Sequence, residues 1–445
     1  MGSSSTSGSR ATARPSSLSS DVFERIFVPA ELRDALSDRA WLQAMLDAEA
    51  ALAAAEARAG VIPAEAAEAI AAACRAEQFD PAELGEQGRA PGNPVEPLVR
   101  ALTGAVEGEA ARYVHWGATS QDILDTASMP VSRNVLDLIL QRLAEVAGEC
   151  ARLAEEYRST PMAGRTVLRQ AVPTTFGVKA AGWLVAVLEA RRGLARVRQH
   201  GLAVQLGGAA GTLASLGESG PKVLHLFAEE LELQEPVAPW HTNRVRVAEL
   251  GAALAVTAGA LAKLALDVAL LGQTEVGEAT ESGGGASSTM PQKRNPVGSA
   301  LTVACARHVQ ANAGVLLAAL PQEHERALGA WLSEWTAISG ALAYTGGAAD
   351  AALRALDGLE VDPERMRANL GLAGGLVMAE RASYVLAEQV GRRKAFERVA
   401  EAAASGRPLA EELDLDAADL DPTSYLGSAD ELVDRALALY RSELG

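Results

Sequence analysis

The sequence predicts an all-α protein organised around a bundle of long helices. Hydrophobic residues make up 49% of the 445 residues and aromatic residues only 4%. Alanine and leucine must therefore provide most of the core packing, and such a composition favours closely spaced helices over sheets. Helical periodicity runs through residues 120–158, 174–203, 244–278 and 296–320, which are longer than most helices of globular proteins. Alternation of the kind found in strands is almost absent.

The helix predicted over 244–278 carries a seam like that of a coiled coil. Its apolar residues recur at alternating steps of four and three, with Thr257 filling one gap: Leu250, Leu254, Leu261, Leu264, Val268 and Leu271. This spacing is typical of a helix packed against near-parallel neighbours, and we expect the seam to continue across subunits. Lys263 and Asp267 interrupt the apolar run, so it indicates a buried helix and not a membrane span.

Composition divides the chain into a tail and three helical domains. Residues 1–20 are rich in Ser, Gly, Thr and Arg and lack an apolar segment, which indicates a disordered tail and no signal peptide. We expect an N-terminal helical domain over 21–114 and a central long-helix bundle over 115–357. A turn-rich boundary then opens a more charged C-terminal helical domain over 358–445.

Charge and cysteine content narrow the functional classes. A net charge of −17 argues against a nucleic-acid surface, and an anionic substrate would need a local cluster of cations. Cys74, Cys150 and Cys305 form no disulfide framework, which favours a reducing cytoplasm. The spacing of cysteines and histidines predicts no zinc site. Three histidines outside any motif are expected on the surface or in helix packing: His200, His225 and His308.

The segment 283–296 carries the strongest chemical signal. Three consecutive glycines predict a loop that moves, and two hydroxyls, Ser287 and Ser288, follow directly. Lys293 comes next, and Asn295-Pro296 is typical of a helix N-cap with proline at the first helical position. A hydroxyl, a cation and a positive helix end within a dozen residues suit chemistry on a carboxylate.

Other segments place polar groups in apolar surroundings. In the segment 115–122, Thr119 and Asp122 have the spacing of a capping box, so Thr119 is expected to open a helix. Residues 205–212 are rich in glycine and predict a tight crossing of the backbone. In the segment 239–246, Arg244 could bind a carboxylate with two parallel hydrogen bonds.

The loop at 283–296 closely resembles the Ser-Ser-x-Met-Pro-x-Lys-x-Asn-Pro signature of the fumarase/aspartase superfamily. The resemblance covers roughly residues 35–370. It implies that Ser287 abstracts a proton, that Lys293 and Asn295 support the substrate carboxylate, and that the Thr119-Ser120 pair holds a carboxylate. It also implies a three-domain, all-helical fold and a homotetramer whose active sites are shared, with motifs 115–122, 205–212 and 283–295 contributed by different subunits.

Within that superfamily, the segment 164–179 distinguishes between branches. Adenylosuccinate lyases have histidines where this chain has Val167 and Gln170. The same frame without histidine is similar to bacterial 3-carboxy-cis,cis-muconate cycloisomerases, although Arg169 replaces their glutamine. The segment 239–246 also resembles theirs, with Asn243 in place of Gln and Val245 in place of Asp. Residues 323–326, with Trp331 and Trp335, match as well.

The resemblance implies an enzyme that adds or eliminates a group beside a carboxylate, without a metal or an organic cofactor. In the cycloisomerase branch, 3-carboxy-cis,cis-muconate closes to 4-carboxymuconolactone during protocatechuate degradation. The alternatives are a C–N lyase that releases fumarate from a substituted succinate, such as a nitrosuccinate lyase, and a non-catalytic helical scaffold. On the matching positions the residues that bind the substrate would be His115, Thr119, Ser120, Gln170, His241, Arg244, Ser288 and Met290.

Overall fold

The structure is a computed structural model that describes residues 21–282, 285–286, 290 and 292–445. In chain order its α-helices are α1 Asp21–Phe27, α2 Ala30–Ala35, α3 Asp38–Ala59, α4 Ala64–Ala73, α5 Pro81–Gln87, α6 Val95–Ala105, α7 Ser120–Glu156, α8 Phe176–Arg196, α9 Gly220–Leu231, α10 Val245–Leu271, α11 Val297–Ala318, α12 Ala330–Leu356, α13 Pro363–Leu370, α14 Ala379–Val390, α15 Arg392–Ser405, α16 Leu409–Leu413 and α17 Ala429–Leu444. Its strands are β1 Pro161–Thr166, β2 Arg169–Thr175, β3 Ala279–Glu281, β4 Gly285–Ala286, β5 Arg294–Asn295 and β6 Leu359–Val361. The predicted all-α fold class is therefore confirmed, with short strands added to it.

Two compact units make up the chain. The first comprises residues up to Val131 together with Ala203–His241, and the second comprises Ser132–Leu202 and Thr242–Gly445. The division into three domains at residues 114 and 357 remains a prediction. His200, His225 and His308 are exposed, as expected.

In the first unit, α3 is the central element and packs against α4 and α9. Ser37 caps its start, accepting a hydrogen bond from the Ala40 N–H at 3.2 Å, and Gly60 ends it in the left-handed conformation with φ 81°. The buried face of α3 is apolar apart from two carboxyl side chains, Glu49 and Glu56.

In the second unit, α10 packs against α8, α11 and α12. Every residue of the predicted seam is buried, from Leu250 to Leu271, and so is Thr257. By length and composition α10 could also cross a membrane, but a seam buried against neighbouring helices is that of a core helix. The prediction of a buried helix is confirmed; the continuation of the seam across subunits remains a prediction.

The strands correct three predicted boundaries. The helix predicted from residue 244 ends at Leu271 and not at 278, because the chain turns over residues 272–278 before β3 pairs antiparallel with β6. The expected turn at 358–363 contains β6. The helix predicted from residue 174 begins at Phe176, because the residues before it pair in the β1–β2 hairpin.

The tip of the β1–β2 hairpin has a strained backbone. Val167 and Leu168 have φ values of 49° and 62°, a region in which branched and bulky side chains are strained. Their side chains are also 96% and 80% exposed. Neighbouring Arg169 is exposed too, and nothing in the structure explains why it stands there.

Candidate active site

A carboxylate at the start of α7 organises the polar centre of the first unit. Asp122 is fully buried and accepts four hydrogen bonds. Three come from the backbone N–H groups of Thr119 at 3.0 Å and of Gly207 and Gly208 at 2.9 Å each; the fourth partner is His241 Nε2, 2.6 Å away. Thr119 therefore precedes α7 as predicted, and the Asp122 carboxylate supplies one half of the capping box by accepting the Thr119 N–H.

This carboxylate brings three predicted segments together in one chain. Segments 115–122, 205–212 and 239–241 meet at Asp122, which corrects the expectation that the first two come from different subunits. The close approach requires glycine at position 207, because a Cβ there would lie 2.8 Å from His241 Cε1. The side-chain amide of Gln121 adds a hydrogen bond to the His241 carbonyl at 2.9 Å.

His115 forms a second imidazole–carboxylate pair in this unit. Its Nδ1 lies 2.7 Å from Glu49 Oε1, and the Glu49 side chain is only 1% exposed. Burial lowers the pKa of His115, but the Glu49 charge and hydrogen bond, with help from Asp122, outweigh it and hold the pKa above its usual value. His115 also has a left-handed backbone with φ 60°, so its position is held against local strain.

The hydroxyls of Thr119 and Ser120 complete this half of the site. Both residues are half-buried, and neither hydroxyl takes part in a hydrogen bond among the residues the structure describes. Free hydroxyls at the start of a long helix can donate to an anion. The first unit thus gathers four predicted site residues: His115, Thr119, Ser120 and His241.

The signature loop belongs to the second unit. Ser287 and Ser288 lie outside the described residues. Gly285 pairs with Asn295 and Ala286 with Arg294 in the short β4–β5 ladder. Lys293 is exposed, and its N–H donates to the Met290 carbonyl at 3.0 Å. Three predicted site residues therefore lie close together in the sequence between the serine pair and α11: Met290, Lys293 and Asn295.

The helix after this loop is capped differently from the prediction. α11 begins at Val297, and Asn295 is not its N-cap. Glu281 takes that role from β3: its two carboxylate oxygens accept hydrogen bonds from the N–H groups of Gly298 and Ser299, both at 2.9 Å. The positive end of α11 thus faces an internal carboxylate, which corrects the expectation that this helix end binds the substrate carboxylate.

Arg244 is likewise occupied within the chain. Its guanidinium is 1% exposed, and Nε donates to the two oxygens of Glu334 at 3.0 and 3.1 Å, with Nη2 adding another bond. This corrects the expectation that Arg244 is free to grip a substrate carboxylate. A buried pair of this kind is satisfied by its own partner.

Gln170 lies on β2 beside a buried ionic cluster. Its amide nitrogen donates to the Asn369 carbonyl at 2.9 Å, and its Oε1 is buried without a hydrogen bond among the described residues. Asn369 in turn donates to Glu278 at 2.7 Å, and Arg165 binds the same carboxylate through two bonds. The position that carries histidine in adenylosuccinate lyases therefore holds a neutral amide anchored to Asn369.

Comparison with known proteins identifies the family to which this fold belongs. Residues 26–311 match the profile of a family described as Lyase. A 3-carboxy-cis,cis-muconate cycloisomerase from Pseudomonas aeruginosa is 46% identical over 439 residues, covering 94% of this chain and 96% of that protein. A nitrosuccinate lyase from Streptomyces davaonensis is 47% identical over 433 residues, covering 91% of each chain. The crystal structure of 3-carboxy-cis,cis-muconate lactonizing enzyme from Pseudomonas putida aligns with a TM-score of 0.88 at 42% identity, covering 95% of this chain and 99% of that one.

The chain belongs to this lyase family of the fumarase/aspartase superfamily. The resemblance found in the signature loop is thereby confirmed over nearly the full length. The roles given to individual side chains remain predictions.

For this lyase, sequence reasoning missed the carboxylates that hold the site. Glu49, Glu281 and Glu334 are all buried and bonded to predicted site residues or to the helix that follows them, and Asp122 was expected only as the capping partner of Thr119. One signal was available for Glu49 and Glu56. They stand seven residues apart on the apolar face of α3, among Leu42, Met45 and Leu52, where an isolated charge is costly unless it is paired or neutralised.

Proposed function

We propose that this lyase is a 3-carboxy-cis,cis-muconate cycloisomerase that closes its substrate to 4-carboxymuconolactone. The observation that carries the proposal is full-length similarity: the relative from Pseudomonas aeruginosa with that name is 46% identical across 94% of the chain. The neutral Gln170 supports the same branch, because an imidazole at that position would suit acid catalysis in adenylosuccinate lyases.

Closure is an internal addition that needs no co-reactant. One substrate carboxylate oxygen forms a bond to the neighbouring alkene carbon, and the electron pair of the double bond passes to the carbon α to another carboxylate. The resulting aci-carboxylate dianion takes a proton at that carbon. In this direction Ser287 gives the proton, and in the reverse direction it removes it as a base.

The developing charge is the main barrier, so fixed donors must meet it. Lys293 is an exposed cation on the signature loop, and Asn295 lies two residues further on. His115, Thr119 and Ser120 would hold the remaining carboxylates, with His241 beside them on Asp122. A local set of cationic and hydroxyl donors is needed, because the net charge of −17 repels a tricarboxylate.

A homotetramer with shared sites is part of the proposal. Support comes from large apolar side chains left exposed on the long helices, namely Val256, Leu266 and Leu270 of α10 and Val315 and Leu317 of α11. Large apolar side chains left exposed on packed helices favour association with other subunits. The enzyme would act in the cytoplasm, in protocatechuate degradation. Light scattering that gave a fully active monomer would reject the assembly.

A nitrosuccinate lyase is the second candidate. The relative from Streptomyces davaonensis is 47% identical over 91% of the chain, which is as close as the cycloisomerases. In that reaction the same base would remove a proton α to a carboxylate, and nitrite would leave from the adjacent carbon, giving fumarate.

One assay separates the candidates. The protein is incubated separately with 3-carboxy-cis,cis-muconate, nitrosuccinate, adenylosuccinate and argininosuccinate, and ultraviolet absorbance is followed. We expect loss of the muconate absorbance with the first substrate and no turnover of the last two. Fumarate formed from nitrosuccinate with the muconate left intact would establish the second candidate instead. No turnover of any substrate would favour a scaffold.

A further inference from the structure

Glu49 of the first unit pairs with His115 but has no role of its own in the proposed reaction. Glu49 lies on α3 and His115 just before α7, so their contact joins residues 66 positions apart. The hydrogen bond is short, at 2.7 Å, and Glu49 is buried, with its other oxygen, Oε2, in no hydrogen bond among the described residues. A single acceptor oxygen therefore carries the whole interaction with His115.

The contact fixes which nitrogen of His115 faces a ligand. Nδ1 is used by Glu49, so Nε2, on the far side of the ring, is the one left for another partner. The His115 side chain is 17% exposed, and no hydrogen bond from Nε2 occurs within the described part of the chain. An imidazole bonded to a carboxylate through Nδ1 keeps its ring orientation and favours the doubly protonated form.

We propose that Glu49 is a positioning residue for the reaction: through Nδ1 it holds His115 as an imidazolium whose Nε2–H donates to a carboxylate of the substrate. This inference rests on the proposed function for the identity of that substrate. The charged groups that act on His115 are Glu49 from α3 and Asp122 from α7, both acidic. Because both stabilise the imidazolium, the cation persists where an ordinary histidine would be neutral.

The same helix offers a matched control. Glu56 lies two turns along α3 on the same face and is fully buried, but neither of its oxygens forms a hydrogen bond among the described residues. Glu49→Gln keeps the shape and removes the charge beside His115. Glu56→Gln makes the same carboxyl-to-amide replacement at a site that does not touch His115, and because burial and the Glu49 charge raise the pKa of Glu56 to about 9, it removes no charge at neutral pH.

The test combines a ring titration with a pH profile. His115 is followed by NMR in substrate-free enzyme carrying ¹³C-labelled histidine, its signal assigned with His115→Asn, and kcat/KM is measured with 3-carboxy-cis,cis-muconate across pH. In Glu49→Gln we expect the His115 midpoint to fall by about 1–3 pH units. The pH at which kcat/KM declines on the alkaline side should move to lower pH by the same amount. In Glu56→Gln, the His115 midpoint and the pH profile of kcat/KM should both stay where they are in the wild type.

Three results would overturn the inference. One is an unmoved His115 midpoint in Glu49→Gln, and another is an equal shift in Glu56→Gln. The third is a shifted midpoint with an unmoved kcat/KM profile, which would leave Glu49 a structural residue only. Absence of turnover in the wild-type enzyme would reject the proposed function instead, and the substrate-free titration would still decide whether Glu49 holds His115 protonated.

Discussion

Replacing Glu56 by glutamine should change how the stability of the enzyme depends on pH. Burial and the charge of Glu49 raise the pKa of Glu56 to about 9 from an ordinary value of 4.5. Between these two values the folded protein keeps a proton that the unfolded chain releases. Stability from this group is fully present below pH 4.5 and is lost as the pH rises towards 9.

The size of the effect follows from the shift. In the window between the two pKa values, one proton of difference changes the unfolding free energy by about 1.4 kcal/mol per pH unit. From pH 5 to pH 8 the wild-type enzyme should lose about 4 kcal/mol through Glu56 alone. Glu56→Gln has no proton to release at this position. The unfolding free energy of the variant relative to that of the wild type should therefore rise by about 4 kcal/mol from pH 5 to pH 8.

The assay is urea unfolding of both proteins at pH 5, 6, 7 and 8, at one fixed protein concentration because assembly affects the midpoint. We expect the difference between the midpoints to grow steadily with pH in favour of Glu56→Gln. A difference that is constant from pH 5 to pH 8 would mean that Glu56 ionises normally in the folded protein. The account of a buried neutral acid on α3 would then be wrong.

Three further outcomes test the assigned roles. Ser287→Ala should keep the fold but lose about 10²–10⁴-fold in kcat, the usual cost of removing a general base; near-normal turnover, with Ser288→Ala inactive, would move the base by one residue. Lys293→Met should lower kcat more than it raises KM, because the charge it meets grows in the transition state; an unchanged kcat with a raised KM would make Lys293 a binding group only. Arg244→Ala should lower the free energy of unfolding by about 3–5 kcal/mol because it removes the cation that neutralises the buried Glu334 carboxylate. A circular-dichroism melting temperature equal to that of the wild type would contradict the buried pair.

The sequence was sufficient for interactions that are local. The helix start at Thr119 and its hydrogen bond to Asp122 were predictable because the two residues are three positions apart. The seam of α10 was predictable because its spacing repeats within one helix. The long helices follow from the same periodicity. The ends of these helices were less predictable, since the short strands near them, such as β3 and β6, form by pairing between segments that are distant in the sequence.

Interactions between distant residues were beyond sequence reasoning. Asn295-Pro296 is a reasonable start for a helix, but Glu281, from a separate strand, supplies the cap of α11. Arg244 had the right chemistry for a substrate carboxylate, yet Glu334, ninety residues later, binds it. In both cases the local sequence correctly predicted the hydrogen-bond donors, which are the N–H groups at the start of α11 and the Arg244 guanidinium. The acceptors are carboxylates from distant parts of the chain, Glu281 and Glu334.

The composition of the first unit has a consequence for synthesis on the ribosome. Its second segment, Ala203–His241, follows 71 residues that belong to the other unit, Ser132–Leu202. Asp122 therefore emerges long before Gly207, Gly208 and His241, which supply three of its four hydrogen bonds. At about 5–20 residues per second, a nascent chain holds this carboxylate without those partners for several seconds. A released fragment that ends near residue 131 would keep α3 and the start of α7 but could not complete the polar centre, and we expect such fragments to be degraded.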